Sequence, residues 1–469
     1  MKTSAILSAF LVMSVLAAPA CAQQTGDPLP PIDTARAIVV NVADFARVPD
    51  IAGVPARMML LVDEPGTRRL FVNDMRGPVY SVGYDGRTVT PYLDVNAAQW
   101  NVQVQSGGRE RGVQSFAFHP QFAQAGTPGY GRFYTWSDVV DTSVPVDYRP
   151  GGGGNTHHTA LHEWRARSPA SPTYDGDAPK QLLRIEQPFA NHNGGMLAFN
   201  PLARSGQPDF GLLYVGVADG GSGGDPLNMA QNAASIFGKI LRIDPLGTSS
   251  PNGKYGIPAT NPWAQGGPSG ALKEIYASGV RNPQRFGWDP ANGNMFMSDI
   301  GQNAVEKISL VRSGANLGWN IWEGSYRVAG RGIVSTEGVR GDTNVLYPVV
   351  EYDHRDPLLL GNVAVTGVIV YRAGPLTALR NQVLFADFPS GEMFAFDADR
   401  LPQGGGNFRR VLFASGGGAP RRFLQVLGDA ATAAGRSPAG RADLRFGVGL
   451  ENRVFLLNKA DGVIRELVP

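Results

Sequence analysis

Short apolar or aromatic runs that close on Asp, Asn or Gly, each followed by a turn and a second run of the same kind, recur along this chain. Leu70-Phe71-Val72-Asn73-Asp74 leads to Val79-Tyr80-Ser81-Val82, and Phe116-Ala117-Phe118-His119-Pro120 to Arg132-Phe133-Tyr134-Thr135-Trp136. The pattern returns at Leu197–Pro201 with Leu213–Val217, at Phe286–Pro290 with Met295–Asp299, and at Val383–Asp387 with Met393–Asp397. A last copy is expected to run from Phe423-Leu424-Gln425-Val426 to Arg453–Leu457. Short alternating strands in a turn-rich repeat of roughly 70–75 residues predict radial antiparallel sheets with the surplus length in loops on one face. The expectation is an all-β, six-bladed β-propeller of four-stranded antiparallel sheets.

Ile38-Val39-Val40-Asn41-Val42 reads as an additional strand, placed to complete the final blade beside Val463–Leu467. Segments 139–157, 247–272, 323–345 and 428–445 read as irregular. None has the apolar period of a separate domain, so residues 23–469 are expected to form one propeller.

Composition sharpens this picture. Glycine (60) and proline (35) are abundant without a collagen-like period, and 43% of the 469 residues are hydrophobic, which permits a large core. Residues 1–22 have the form of a secretory signal: Lys2, the apolar stretch Ala5 to Ala18, then Ala20-Cys21-Ala22. Cleavage there would remove the sole cysteine and one positive charge from a formal net charge of +2. Two rival readings are a lipid anchor on Cys21 and an ordinary first helix. Export without cysteine suits a bacterial periplasm, or secretion, with the core replacing disulfides. Near-neutral charge argues against nucleic acid, and no other segment reaches membrane-spanning length.

Three polar words carry candidate chemistry. Asn191-His192-Asn193-Gly194-Gly195 offers an imidazole in a glycine-rich turn, and Asp219-Gly220-Gly221 a carboxylate after the strand that follows it. A carboxylate beside a histidine fixes its tautomer and makes it a general base. Arg281-Asn282-Pro283-Gln284 adds a guanidinium and a carboxamide on a stiffened backbone, suited to carboxylates and carbonyls. His157, His158 and His162 raise the question of a metal, but H-E-x-x-H is absent and Thr156–Trp164 reads as a strand. His354, in the acidic turn Asp353–Asp356, is uninformative. Serine-hydrolase, dinucleotide and phosphate-loop motifs are absent.

Taken in order, these words resemble the soluble quinoprotein sugar dehydrogenases, that is, the glucose/sorbosone dehydrogenase family with its aldose-sugar dehydrogenase relatives. The matching segments are Gly108–Gly112 before Phe116–Pro120, Asn191–Gly195, Asp219–Gly221, Phe237–Asp244, Gly279–Gln284 and Asn316-Leu317-Gly318-Trp319-Asn320. The match is specific from about 100 to 325 and loose after 346. The resemblance implies pyrroloquinoline quinone (PQQ) and calcium at the mouth of the channel, a sugar substrate and a soluble electron acceptor.

By that resemblance His192 is the base, Asp219 its supporting acid, and Arg281 and Asn282 contact the cofactor. Gly301 and Gln302 supply carbonyls to calcium, Glu110 borders the sugar, and Arg421 and Arg422 stand for a late arginine pair that grips the cofactor. The chain departs from the family at Asn191, where an acid is usual, and at Pro389-Ser390-Gly391, where a lysine is. Two rivals remain open: a non-catalytic propeller binding a glycan or protein partner, and a metal-dependent lactonase.

Overall fold

The computed structural model describes residues 24–154, 157–359 and 361–469; the proposed leader 1–22, with Cys21, and Thr156 of the expected histidine strand lie outside them. Strands dominate, as the turn-rich alternation requires. Three separate four-stranded sheets follow in order, each wound antiparallel from neighbouring segments of chain: Val113–Phe118 to Lys180–Gln187, Leu197–Phe199 to Ile275–Ser278, and Pro283–Trp288 to Val350–Asp353.

A fourth, twelve-stranded sheet joins three further antiparallel sets through two parallel pairings. The strand Ala37–Arg47 runs beside Arg409–Ala414, and Arg445–Val448 beside Met58–Glu64. The first strands of successive sets adjoin one another, so the arrangement is propeller-like. Side chains from facing sheets fill the spaces between them. Phe71, Tyr92, Phe133 and Trp164, for example, pack in one such seam, where aromatic area supplies the burial that cysteine-free sheets need.

The strand expected at Ile38–Val42 is present and pairs antiparallel with Val463–Val468, with Val42 opposite Leu467. Its alternation is strict: Ile38, Val40 and Val42 are buried while Val39 is 46% exposed. The sequence reading fails at Phe423–Val426. These residues open an α-helix, Phe423–Ala433, and the innermost strand of that set is Arg445–Val448 instead. Phe423 and Leu427 are the buried pair, one helical turn apart, and the alanines that follow favour helix over strand. Segment 323–345 is also more regular than expected: Trp322–Glu323, Tyr326–Gly330 and Ile333–Ser335 form a small sheet with Gln24–Thr25.

The strand pairing that joins both ends of the described chain makes a local prediction. Leu467, 1% exposed, lies on it, and Leu467→Ala should cost ~2–5 kcal/mol, read as a lower urea midpoint. Val39→Ala on the same sheet should stay within ~0.5 kcal/mol.

Candidate functional site

The innermost strands begin at one end of the axis, around a cavity of about 310 Å³, and the polar words just before them form its wall. His192, Asn193, Arg281, Asn282, Gly301, Gln302 and Glu110 all line it. His192 sits at φ +55°, a left-handed turn conformation uncommon for a residue with a side chain, and it lines the cavity.

The ring nitrogens of His192 are both engaged. Asp219 Oδ1 lies 2.7 Å from Nδ1, and Arg281 Nη2 lies 3.0 Å from Nε2. A guanidinium can only donate, so Nε2 accepts and the proton resides on Nδ1, donated to Asp219. Asp219 is buried and has three further supports. Gly221 N donates to Oδ1 at 3.0 Å, Trp319 Nε1 donates to Oδ2 at 2.8 Å, and the Arg281 charge lies close by. Burial pushes this carboxyl up, but the His192 ring, Arg281 and the Gly221 amide outweigh it and hold it below the usual carboxylate range.

Trp319 also faces the Arg281 guanidinium, 5.6 Å from ring centre to Cζ. One indole therefore fixes both the carboxylate and the arginine. The Asn316–Asn320 word marks the position, although its role could not be read from residue type.

Asp299 anchors the Arg281-Asn282 pair. Its carboxylate accepts from the backbone N–H of Arg281 at 3.1 Å and of Asn282 at 2.7 Å, while Lys307 Nζ lies 3.1 Å from Oδ2. Arg281 Nε donates to Gln302 Oε1 at 3.3 Å and Nη1 to the Ile300 carbonyl. The Asn282 side-chain oxygen is buried with no partner. It is an acceptor left open at the cavity wall.

The loop after Asp299 is held from behind by two buried carboxylates. Glu323 Oε1 accepts from the N–H groups of Gln302, Asn303, Ala304 and Val305, and Glu306 Oε2 from Gly301. Among the described residues no backbone hydrogen bond ends on the carbonyls of Gly301 or Gln302. Likewise, no group of three or more His, Cys, Asp or Glu side chains is arranged to hold a metal. Any hard cation here would rely on carbonyl and amide oxygens. Glu110 Oε2 accepts from the backbone N–H of His192 at 2.9 Å, tying that carboxylate to the His192 turn.

Arg421 and Arg422 are not brought to the cavity. Arg421 pairs with Asp429 on the helix that replaced the expected strand, and Arg422 lies 3.8 Å from Glu392. In their place Arg441, Arg445 and Lys459 line the wall, with Asp443 as their nearby carboxylate. Arg441 and Arg445 flank Phe388, at 5.4 and 4.1 Å from its ring centre. Arg445 is buried, and its Nε has no partner.

A usable signal existed. Elsewhere the polar word immediately precedes the innermost strand, and Arg441-x-Asp443-x-Arg445 does so once the strand is set at Arg445–Val448. His354, read as uninformative, also lines the cavity, 2.7 Å from Glu306. His157 reaches Asn193, His158 accepts from Arg184, and His162 is buried.

Comparison with known proteins places the chain in a family. Residues 54–404 match the family model described as Glucose / Sorbosone dehydrogenase. An Arabidopsis thaliana protein named HIPL1 is 28% identical over 86% of this chain, which spans only 60% of that relative's length. The human Hedgehog-interacting protein is 26% identical over 51% of this chain and 31% of its own. Among solved structures, the PQQ-bound form of aldose sugar dehydrogenase from Streptomyces coelicolor superimposes with a TM-score of 0.55. It has 19% identity, covering 96% of this chain and 99% of that one, a likeness of fold.

The hydrogen-bond pattern sets the protonation of His192. Nitrogen-15 shifts should report the ring proton on Nδ1, with Nε2 as the acceptor. In Arg281→Gln the Nε2 resonance should move as its donor is lost. A ring protonated at Nε2 in the native protein would contradict the geometry.

Proposed function

The chain belongs to the glucose/sorbosone dehydrogenase family, and from that premise we propose that it is a PQQ- and calcium-dependent dehydrogenase oxidising an aldose or sugar aldehyde. The observation that carries the proposal is the His192–Asp219 pair meeting Arg281 in one cavity whose far wall is cationic. In this reading the fold is a six-bladed propeller over residues 23–469, preceded by a leader, and the protein works in the periplasm or is secreted. Among the described residues no helix is long and apolar enough to cross a membrane. A soluble molecule takes the electrons away.

The residues fit the group. A quinone bearing several carboxylates needs cations that lack full partners, and Arg441 and Arg445 share one nearby acid with Lys459. Burial and Arg445 push the Lys459 amine well below its ordinary pKa, so that an incoming carboxylate would favour its charged form. These three, not Arg421 and Arg422, are the proposed grip, and Lys459 serves where the family's lysine position reads Pro389-Ser390-Gly391. The open Asn282 oxygen and the Arg281 guanidinium bound the side on which a reactive carbonyl would lie. The unengaged carbonyls of Gly301 and Gln302 suit calcium. The bound quinone supplies a two-electron acceptor for hydride, which no side chain here offers.

The chain's own task is the proton. His192 accepts it at Nε2 from the substrate hydroxyl, once Arg281 has yielded that atom to the incoming oxygen. Asp219, kept ionised by its partners, stabilises the resulting imidazolium and holds the ring's direction. Glu110, tied to the His192 backbone on the same cavity wall, is placed to hydrogen-bond a sugar hydroxyl.

Similarity to Hedgehog-interacting protein keeps a second reading: a propeller that binds a partner without turnover. The lactonase reading would need several acidic or amide side chains converging on one central metal; the cavity is lined by amides, with Arg441, Arg445 and Lys459 at one side. Dye reduction across a sugar panel, with PQQ and calcium added, should show turnover. By calorimetry Arg445→Met should weaken quinone binding about tenfold or more, one charged hydrogen bond being worth ~1.5–3 kcal/mol. Arg421→Met should leave it unchanged. No quinone binding and no dye reduction would remove the dehydrogenase and leave the binding module.

A further inference from the structure

The strands that line the axis run in one direction, from the cavity just described to a second at the opposite end. Met59, Gln284 and Arg445 face the first, whereas later residues of the same strands face the second. This second cavity, about 450 Å³, has a different character. Its walls include Leu60, Phe199, Phe286, Trp288, Ile369 and Phe446, so it is largely apolar.

One cation stands among them. Arg285 is 5% exposed and lies across the channel, Nη2 donating to the Met59 carbonyl at 2.7 Å and Nη1 to that of Gln284 at 2.5 Å. Its Nε is buried with no partner, and among the described residues no carboxylate pairs with it. Burial, with Arg445 nearby, lowers its pKa to about 9, so the charge persists at neutral pH without a counter-ion. A buried charge left unpaired is strongly unfavourable, and two carbonyl contacts leave further N–H groups to donate.

We propose that this far cavity binds a monocarboxylate bearing an apolar chain, its carboxylate on Arg285 and its chain against the aromatic and aliphatic wall. An inorganic anion would satisfy the guanidinium but leave the apolar wall empty. A dianion would bring a second charge toward Asp63, which also borders the cavity. Apolar walls with a single converging polar group are the usual form of a small-molecule site. The inference stands apart from the reading of the first cavity, because it uses other residues at the other end of the channel.

Calorimetry of the native protein with octanoate should show saturable binding. Butyrate should bind at least tenfold more weakly, and chloride at equal ionic strength should not compete. Arg285→Met should weaken octanoate at least tenfold, whereas Arg441→Met, which alters only the first cavity, should not. Absent saturable binding, equal affinity for butyrate, competition by chloride, or loss in Arg441→Met would each overturn the proposal. Should Arg285→Met fail to fold, native crystals soaked with 8-bromooctanoate decide. An anomalous bromine peak beside Phe199 and Trp288 supports the site, and a peak elsewhere or none refutes it.

Discussion

The contact between Arg281 and His192 is the constraint on which the rest of the site depends. A guanidinium at Nε2 forces the ring proton onto Nδ1, and that proton ties the imidazole to Asp219. Asp219 in turn stays ionised while buried because His192, Arg281, Gly221 and Trp319 surround it with donors and positive charge. Removing any one member leaves a buried polar group short of a partner, which is why the loops that carry them are pinned so heavily. Asp299 pins the backbone of Arg281 and Asn282, and Glu323 alone pins four consecutive amides of the next loop.

The fold makes these contacts between distant residues possible. Innermost strands running in a common direction bring the residues preceding each of them to the same end of the axis. Residues 89 positions apart, His192 and Arg281, then meet at 3.0 Å. The same geometry brings the residues ending each strand to the opposite end, where the wall is apolar apart from a few groups, Arg285 among them. One architecture thus yields two unlike cavities on a single channel.

Much of this was legible in the sequence. The alternation at Ile38–Val42 gave a strand that pairs with Val463–Val468, because burial on one face only leaves that signature. The words around His192, Asp219 and Arg281 were readable because glycine and proline beside a polar residue mark a constrained turn. Phe423–Val426 misled because four apolar-rich residues cannot distinguish helix from strand; the decision lay in Leu427 and the alanines beyond. Arg421 and Arg422, beside that segment, stay away from the cavity, whereas Arg441 and Arg445 line it. Trp319 was visible as a residue, but its indole bond to Asp219 spans 100 positions and leaves no local trace.

The central claim is that His192 takes the substrate proton while other residues hold the cofactor. Anaerobic single-turnover spectroscopy tests it most directly: protein loaded with PQQ and calcium is mixed with an oxidisable sugar while the quinone absorbance is followed. The account expects the native protein to reduce its bound quinone, and His192→Ala to retain the quinone but leave it oxidised. Reduction at the native rate in His192→Ala would contradict it.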